Sequence, residues 1–375
     1  MAAFIGIDLG TTYSGISYID ENGFPKIVNN SEGQNITPSC ILVEGDTVIV
    51  GEDARKELGL SDNVLSRFKR DMGEKGKKYK VDGKEFTPTE CSAFVLKKLF
   101  QDAKREIGEI GETVVTVPPN FSNKARVETL TAAKLAGLKV ENIVDEPTAA
   151  ALYYAFKGGV ELKGHFAVYD LGGGTFDVSI IKVEGQNINV LASAGIQKLG
   201  GDDFDVCLQK IVKKKFKDEH DEKLDETNYT ITEAEEDKKS LSKREKINVR
   251  ANKKIIGVTR AEFEQEISSL VSLSEMLCES ILNETNLTAK DIQEVFLVGG
   301  NTRIPLVEDT VKRVFGKTPV KSDNVDEVVV LGASLYAAYK PYPSNLNLAQ
   351  KEVVDKIKVT DSADDYSIID KFLVD

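Results

Sequence analysis

Two aspartates in this chain each stand at the end of an apolar segment, immediately before a glycine turn. The first is Asp8 in FIGIDLGTTYSGISYI, and the second is Asp170 in YDLGGGTFDVS. In both stretches apolar residues lead into Asp-Leu-Gly, small or hydroxyl residues follow, and an alternating apolar segment then resumes. This order predicts a β-strand, a tight turn and a returning strand, which together form a β-hairpin. Because the hairpin occurs twice, we expect two similar lobes that share a ligand between them.

The two turns have the composition of a phosphate-binding site. Glycine lets the backbone approach an anion closely and tolerates positive φ, so that successive N–H groups can converge on the anion. An aspartate would repel a bare phosphate, and its presence in each turn therefore implies a hard cation. Mg²⁺ fits, since it is usually held through water by one or two carboxylates. Two facing phosphate-binding turns with two aspartates around one Mg²⁺ predict a nucleotide-binding site. The turn residues that we expect to bind the nucleotide are Gly10, Thr11, Thr12, Tyr13, Gly172, Gly173, Gly174 and Thr175.

A third glycine turn lies in EVFLVGGNTRIPLVEDTVKRVF, residues 294–315. An apolar strand is predicted to end at Gly299-Gly300, and a helix to begin with Pro305 in its first turn, capped by Asn301 or Thr302. Such turns often bind ligands at the carboxyl end of a sheet, and a plain strand-to-helix connection is the alternative.

Other nucleotide-binding signatures are missing from the sequence. The GKT at residues 316–318 has Val311 at the position where a P-loop requires glycine, and no GxGxxG follows a predicted strand.

The third glycine turn also contains Arg303, whose planar guanidinium could stack on the base of a bound nucleotide.

Composition excludes several classes of protein. The 375 residues carry 49 basic and 61 acidic side chains, a net charge of −12, which disfavours a broad surface for nucleic acid or anionic membranes. Hydrophobic residues make up 41% of the chain without a membrane-spanning run or a secretory signal, so we expect a cytoplasmic protein. Four separated cysteines predict reduced thiols, and two histidines leave little material for a zinc site or a Ser-His-Asp triad.

The intervening segments alternate between predicted strands and helices. Helical periodicity covers 89–108, a strand follows and ends at Pro118-Pro119, and a helix over 122–137 is closed by Gly137. VENIVDEPTAAALYYAF predicts a short strand, the acidic pair Asp145-Glu146 and a helix opened by Pro147. Residues 203–246 are predicted to be rich in helix, and 260–285 form a further amphipathic helix. This order predicts an α/β fold.

Five motifs, taken in order, resemble the ATPase domain of the 70-kDa heat-shock chaperone family of the DnaK type. They are IGIDLGTTYSG, VDEPTAAAL, DLGGGTFDVS, LGGDDFD and VFLVGGNTRIP, and the resemblance runs from about residue 3 to residue 340. It implies the two-lobed fold of the actin and hexokinase superfamily, which is ribonuclease H-like, with a nucleotide cleft between the lobes. We place lobe I at 1–165, lobe II at 166–340 and a C-terminal segment at 341–375, which is either linker-like or the start of a following region.

The resemblance also implies roles for the matching residues. Asp8 and Asp170 would hold Mg²⁺ mainly through water, K⁺ is a further candidate ion, and ATP or ADP is the nucleotide. The residues implied to be catalytic are Lys69, Glu146, Asp170 and Asp177. The remaining residues implied to bind nucleotide are Gly200, Gly201, Glu235, Lys238, Lys239, Ser242, Gly299, Gly300, Arg303 and Asp326. From its composition alone, the helix containing Glu235 to Ser242 would be read as a solvent-exposed charged surface.

Three departures from the family pattern concern signalling between domains. Leu130 and Asn142 occupy positions where most family members have lysine and arginine, and 341–375 lacks the usual acidic, leucine-rich linker. The interpretations are a divergent member of the family, a chain that is cut after its linker, and altered or absent coupling to a peptide-binding domain.

The leading prediction is a slow ATPase module of a chaperone that is involved in protein folding and the stress response. A small-molecule kinase and a filament-forming, actin-like ATPase of the same superfamily are the alternatives. The resemblance implies a J-domain co-chaperone and a nucleotide-exchange factor as partners of a monomer, with client peptides bound only by a substrate domain outside this chain.

Overall fold

The computed structural model describes residues 3–158, 162–184 and 187–339. In its first half, the helices are α1 Glu52–Lys56, α2 Pro88–Ile107, α3 Asn123–Leu135 and α4 Glu146–Gly158, with a 3-10 turn at Phe68–Asp71. The strands of this half are β1 Ala3–Asp8, β2 Tyr13–Ile19, β3 Pro25–Ile27, β4 Thr37–Pro38, β5 Cys40–Glu44, β6 Thr47–Val50, β7 Val64–Ser66, β8 Tyr79–Val81, β9 Lys84–Phe86, β10 Ile110–Val117 and β11 Val140–Asp145.

The second half is richer in helix. Its strands are β12 Lys163–Leu171, β13 Phe176–Glu184, β14 Asn187–Ile196, β15 Lys246–Ala251, β16 Lys254–Thr259 and β17 Ile292–Val298. Its helices are α5 Gly201–His220, α6 Ile231–Lys243, α7 Arg260–Glu284, α8 Pro305–Phe315 and α9 Val328–Tyr339, with 3-10 turns at Glu226–Asn228 and Gly300–Arg303. The predicted α/β class is confirmed, and the predicted helices over 89–108, 122–137 and 260–285 correspond to α2, α3 and α7.

Two sheets organise the molecule, one in each half. The first has the order β11-β10-β1-β2-β3, with β4 paired to β2 off this path, and the second has the order β14-β13-β12-β17. In each sheet an antiparallel hairpin, β1–β2 or β12–β13, adjoins a parallel strand, β10 or β17. Both predicted hairpins are therefore present, and they occupy equivalent places in two similar sheets.

Apolar packing forms a core in each half and a third core that joins them. The joining core contains α4 and α9 together with residues of both sheets, including Val114, Val168 and Phe296. Helix α9 also lies close against the first sheet, since the Ser17 hydroxyl donates to the Val330 carbonyl at 2.6 Å. This packing places α9, which comes late in the chain, against the first sheet. The boundary between lobe I and lobe II at residues 165 and 166 stays a prediction.

The residues behind the altered-coupling interpretation are buried on the first half. Leu130 lies on α3, and the Asn142 side chain on β11 donates to Glu112 Oε1 at 3.0 Å. The segment 341–375 lies outside the described residues, so altered coupling stays a hypothesis. In the described part of the chain, no helix is both long enough and apolar enough to cross a membrane.

Candidate functional site

The two glycine turns face each other across a cleft between the two sheets. Asp8 ends β1 opposite Gly15, and Asp170 lies directly opposite Asp177 in the β12–β13 register. Consecutive residues before each aspartate are buried on both faces of the strand, and on β12 the two faces pack into different cores, with Ala167 in one and Val168 in another. Each aspartate therefore reaches the cleft at the point where its strand leaves the core. A cavity of about 120 Å³ between the turns is lined by both aspartates and by all eight turn residues named from the sequence.

The glycines of the second turn are required for close approach rather than for positive φ. None of Gly172, Gly173 and Gly174 has positive φ, so that part of the prediction is wrong. A Cβ atom on Gly173 would lie 2.0 Å from Thr12 Oγ1. One on Gly174 would lie 2.4 Å from Thr11 Cγ2. The two turns therefore pack directly against each other, which only glycine permits.

Several hydrogen-bond donors at the tips of the turns have no protein acceptor. Within the described residues, the backbone amides of Thr11, Thr12, Gly173 and Gly174 donate to no protein group. The Thr12 hydroxyl and Arg70 Nε are buried and likewise have no partner there. Buried donors are usually satisfied, so this convergence of free donors is the arrangement expected for an anion-binding site.

Four carboxylates and one lysine lie at the base of the cleft. Lys69 Nζ donates to Glu146 Oε1 at 2.8 Å, and both side chains are buried. Burial raises the pKa of Glu146 to about 7, although Lys69 opposes the shift. Burial and the carboxylates of Glu146, Asp177 and Asp8 raise the pKa of Asp170 well above its usual range. The cluster carries more negative charge than Lys69 neutralises.

Asp177 and Lys69 each have a neighbour that the sequence did not identify. Asn120 Nδ2 donates to Asp177 Oδ1 at 2.9 Å, and the ring of Phe121 lies 5.8 Å from the Lys69 ammonium. Burial raises the pKa of Asp177 to about 6, while hydrogen bonding from Thr175 and the charge of Lys69 limit the rise. Asn120 and Phe121 directly follow Pro118-Pro119, where β10 ends. Their position at a strand end was the one signal in the sequence that could have marked them as site residues.

A larger cavity of about 620 Å³ adjoins the turns and shares Thr12, Tyr13, Gly173, Gly300 and Asp326 with the smaller one. Its volume is typical of small-molecule sites. Eight of the residues that the family resemblance implied to bind nucleotide line it, and they are Gly201, Glu235, Lys238, Lys239, Ser242, Gly300, Arg303 and Asp326. Of the other two, Gly299 lines the smaller cavity and Gly200 caps α5 beside Gly173.

Two cations of this cavity are held by protein carboxylates. Lys238 is buried, with Nζ 2.8 Å from Asp205 Oδ1 and donating to the Gly201 carbonyl at 3.0 Å. Arg303 is partly exposed and pairs with Asp326 at 2.8 Å. Arg303 therefore lies at the rim of the cavity with its guanidinium already oriented by Asp326, and base stacking stays a prediction.

The third glycine turn holds the second one in place. Asn301 and Thr302 do not cap α8, whose N-cap is Ile304, so that expectation is wrong. Instead, Asn301 Nδ2 donates to the Gly172 carbonyl at 2.9 Å. Gly299 has φ 84, and a Cβ there would lie 2.4 Å from the Leu171 carbonyl oxygen, so glycine is needed both for conformation and for space.

Three arginines of the first half reach across the cleft, and the sequence reasoning missed all three. Arg55 pairs with Glu235 at 2.5 Å and Arg67 with Asp202 at 2.6 Å, while Arg70 donates to the Gly174 carbonyl. Arg67 and Arg70 flank Lys69 in SRFKRDMG, and Asp202 lies in LGGDDFD. Proximity to these motifs was the available signal for two of them.

The carboxylates at the base of the cleft do not form a direct metal cage. Among the described residues, no three His, Cys, Asp or Glu side chains are arranged to hold an ion together. Mg²⁺ does not need such a cage, because it keeps several waters and is bound by one or two carboxylates plus phosphate oxygens. The excess negative charge around Asp170 and the free donors of the turns therefore fit a magnesium–phosphate group.

Comparison with a family model and comparison with curated proteins point to the same family. The family model described as Hsp70 protein matches residues 4–83 and 76–342. The chain is 40% identical over 353 residues to the chaperone protein DnaK of Thermotoga neapolitana and, equally, to that of Thermotoga petrophila. Each alignment covers 89% of this chain and 59% of the relative, so the chain spans about three fifths of the length of these curated relatives. With a family model that covers most of its length and motifs that meet at one cleft, the chain belongs to the Hsp70 family.

Proposed function

We propose that this chain binds ATP between the two glycine turns and hydrolyses it slowly to ADP and phosphate. The observation that carries the proposal is the set of unpartnered donors on both turns, facing one cluster of carboxylates and Lys69. Phosphates would accept from the amides of Thr11, Thr12, Gly173 and Gly174. The nucleoside would extend into the larger cavity, between Tyr13 and α6 on one side and residues from Gly300 to Asp326 on the other.

The carboxylate cluster supplies the chemistry of the proposal. Asp8 and Asp170 would hold Mg²⁺, mainly through water, and the bound ion would neutralise phosphate charge. Lys69 would place its positive charge at the γ-phosphate, where charge develops during transfer. Glu146 and Asp177, whose pKa values are raised to about 7 and about 6, are suited to orient the attacking water and accept its proton near neutral pH. K⁺ is a further candidate ion beside these carboxylates.

We further propose a chaperone role, because the relatives are named as chaperone proteins. In this proposal, ATP binding and hydrolysis drive closure and opening of lobes at 1–165 and 166–340. Client peptides would be bound by a region outside these 375 residues. A J-domain co-chaperone and a nucleotide-exchange factor would be the partners of a cytoplasmic monomer.

The proposal is tested by ATP turnover in the absence of any phosphoryl acceptor. We expect Mg²⁺-dependent release of phosphate, reduced on the order of 10²-fold in Lys69→Ala, with nucleotide affinity changed much less. Lys75→Ala, which removes an exposed lysine in the following loop, should behave as wild type. Thermal unfolding midpoints establish that each variant is folded.

Each alternative function gives a different result. Phosphate transfer only in the presence of a sugar or polyol would identify a small-molecule kinase. A rise in light scattering on addition of ATP would indicate a filament-forming protein. Undiminished turnover in Lys69→Ala would show that the proposed catalytic centre is wrong.

A further inference from the structure

We propose that Arg67 is a positioning residue that sets Lys69 against the second glycine turn by an ion pair across the cleft. The inference rests on the proposed ATPase function. It concerns a residue that neither the motifs nor the proposed roles include.

The backbone of Arg67 is held in an uncommon conformation. It has φ 62 and ψ 13, in the left-handed region, and it is the N-cap of the 3-10 turn Phe68–Asp71 that carries Lys69. Residues other than glycine rarely adopt this region, and asparagine and aspartate are the usual exceptions. An arginine at this position is therefore unexpected unless its side chain has a role.

The side chain of Arg67 makes a close contact with the other half of the molecule. Its Nε donates to Asp202 Oδ2 at 2.6 Å, and the Asp202 side chain is 11% exposed. An ion pair that is nearly enclosed on one side has more orienting power than a fully solvated one. This contact therefore fixes the start of the turn that carries Lys69 relative to the first turn of α5.

Asp202 is itself bonded to the second glycine turn. Its backbone N–H donates to the Gly173 carbonyl at 2.8 Å, and that of Gly201 donates to the Gly172 carbonyl at 3.1 Å. A short path thus runs from Gly173 through Asp202 and Arg67 to Lys69, two residues further along the chain. Arg70, on the other side of Lys69, donates to the Gly174 carbonyl.

Lys69 depends on such a path because its own hydrogen bond stays within the first half of the molecule. Its partner Glu146 is the first residue of α4, which follows β11 of the first sheet. The distance between its ammonium group and the Gly172–Gly174 turn is therefore set by other contacts across the cleft. A displacement of about 1 Å is enough to cost on the order of 10²-fold in rate when a charged group must meet a transferring phosphate.

A double-mutant cycle on Arg67 and Asp202 tests the inference. Single-turnover hydrolysis of bound ATP is measured for wild type, Arg67→Ala, Asp202→Ala and the double variant. We expect each single variant to lose about tenfold in rate, and the double variant to lose no more than either single variant. The Kd for ATP should change less than about threefold, because the donors of the turns remain in place.

Two controls separate the side chain from the backbone and from general stability. Arg67→Gly relieves the left-handed backbone but removes the guanidinium, and it should be as slow as Arg67→Ala. Arg313→Ala removes an exposed bidentate ion pair to Glu275 on the second half and should keep the wild-type rate.

The outcomes distinguish this inference from the proposed function. If wild type hydrolyses ATP and Arg67→Ala or Arg67→Gly does so at the same rate, the positioning role of Arg67 is overturned. The proposed ATPase function is unaffected by that result. Losses that multiply in the double variant would also overturn the positioning role, since Arg67 and Asp202 would then act separately. Failure of wild type to hydrolyse ATP would overturn the proposed function and the inference with it.

Discussion

The turn of the first glycine hairpin is held near Asp8 and Gly10 by side chains of its own half, whereas the turn of the second is held by segments that come from elsewhere in the chain. Around the first, the Ser39 hydroxyl donates to the Gly10 carbonyl at 2.8 Å, and Thr116 donates to Asp8 Oδ1 at 2.8 Å. Around the second, the carbonyls of the glycines accept from the start of α5, from Asn301 and from Arg70. The same strand-turn-strand pattern is thus bonded mainly to neighbouring residues of its own half in the first hairpin. In the second hairpin it is bonded to several elements from different parts of the chain.

This difference shows where a change in one part of the cleft can be transmitted. A movement of α5, of the third glycine turn or of the arginine-bearing segment alters the second hairpin directly. The base of the first hairpin is bonded within its own sheet, and its tip reaches the second half through the Tyr13 hydroxyl, which donates to Glu235. We infer that the second hairpin is the side that responds to the relative positions of the two halves, and the following predictions test the contrast.

The largest expected effect comes from the two aspartates. Within the described residues, the Asp170 carboxylate accepts no hydrogen bond, while that of Asp8 is oriented by Thr116. Asp170→Asn should lower Mg²⁺-dependent turnover on the order of 10²- to 10³-fold. It should also raise the thermal midpoint of the ligand-free protein, because it removes a carboxylate that is repelled by Glu146, Asp177 and Asp8 and is only partly offset by Lys69.

Asp8→Asn is the matched comparison for Asp170→Asn. It should lower turnover as well, without the gain in midpoint, because its hydrogen bond to Thr116 is already satisfied. Calorimetry and phosphate release on both variants measure the two effects. A lower midpoint in Asp170→Asn, or wild-type turnover in that variant, would contradict the contrast.

Local patterns predicted the hairpins but could not predict what holds them. Apolar residues leading into Asp-Leu-Gly are encoded within about ten residues and predicted both hairpins, and an apolar strand ending in Gly-Gly predicted the third glycine turn. Asn301 was predicted to cap α8 because capping is judged from neighbouring residues. Its actual partner, the Gly172 carbonyl, lies far away in the sequence. No local periodicity encodes such a pairing.

The same reason explains the arginines and the charged helix α6. From composition, Glu235 would be placed on a solvated surface, yet its side chain is only 13% exposed and bonds to Tyr13 and Arg55. The family resemblance placed α6 at the cleft, but it did not indicate Arg55 as the partner. A contact between elements that meet only in the folded chain needs the structure.

A smaller effect is expected at the tip of the first hairpin, where Tyr13 donates to Glu235 Oε1 at 2.7 Å. Burial alone would raise the pKa of Glu235, but Lys239 and Arg55 lower it to about 2. The folded pKa lies below the unfolded value of about 4.3, so the stabilisation is complete above that pH and is lost as the pH falls toward 2. Glu235→Gln should therefore lower the free energy of unfolding by about 3 kcal/mol at pH 7.

Urea titrations of Glu235→Gln and wild type from pH 7 to pH 3 measure this difference. It should stay constant down to about pH 4.5 and be roughly halved at pH 3. Glu236→Gln is the control, because its side chain is 60% exposed and lies 3.4 Å from Arg55. An equal effect of both variants would show that Glu235 has no special link to the first hairpin.

The smallest expected effect tests whether the second hairpin needs glycine for contact with the first. Gly173→Ala would place a Cβ 2.0 Å from Thr12 Oγ1, whereas the nearest atom to a Cβ on Gly172 is the Thr175 carbonyl oxygen at 3.7 Å. Because overpacking forces one of the two turns to move, Gly173→Ala should weaken ATP binding about tenfold. Gly172→Ala should bind within about twofold of wild type, since its Cβ meets only ordinary contacts.

The contrast between these two glycines separates contact from flexibility. Both substitutions reduce backbone freedom in the same way, and neither position uses positive φ, so the difference between them reports only the space at the opposite turn. Equal losses at both positions, measured as Kd by titration calorimetry, would show that the turn needs glycine for mobility instead. The second hairpin would then respond to the positions of the two halves through the mobility of its own turn, and not through its contact with the first hairpin.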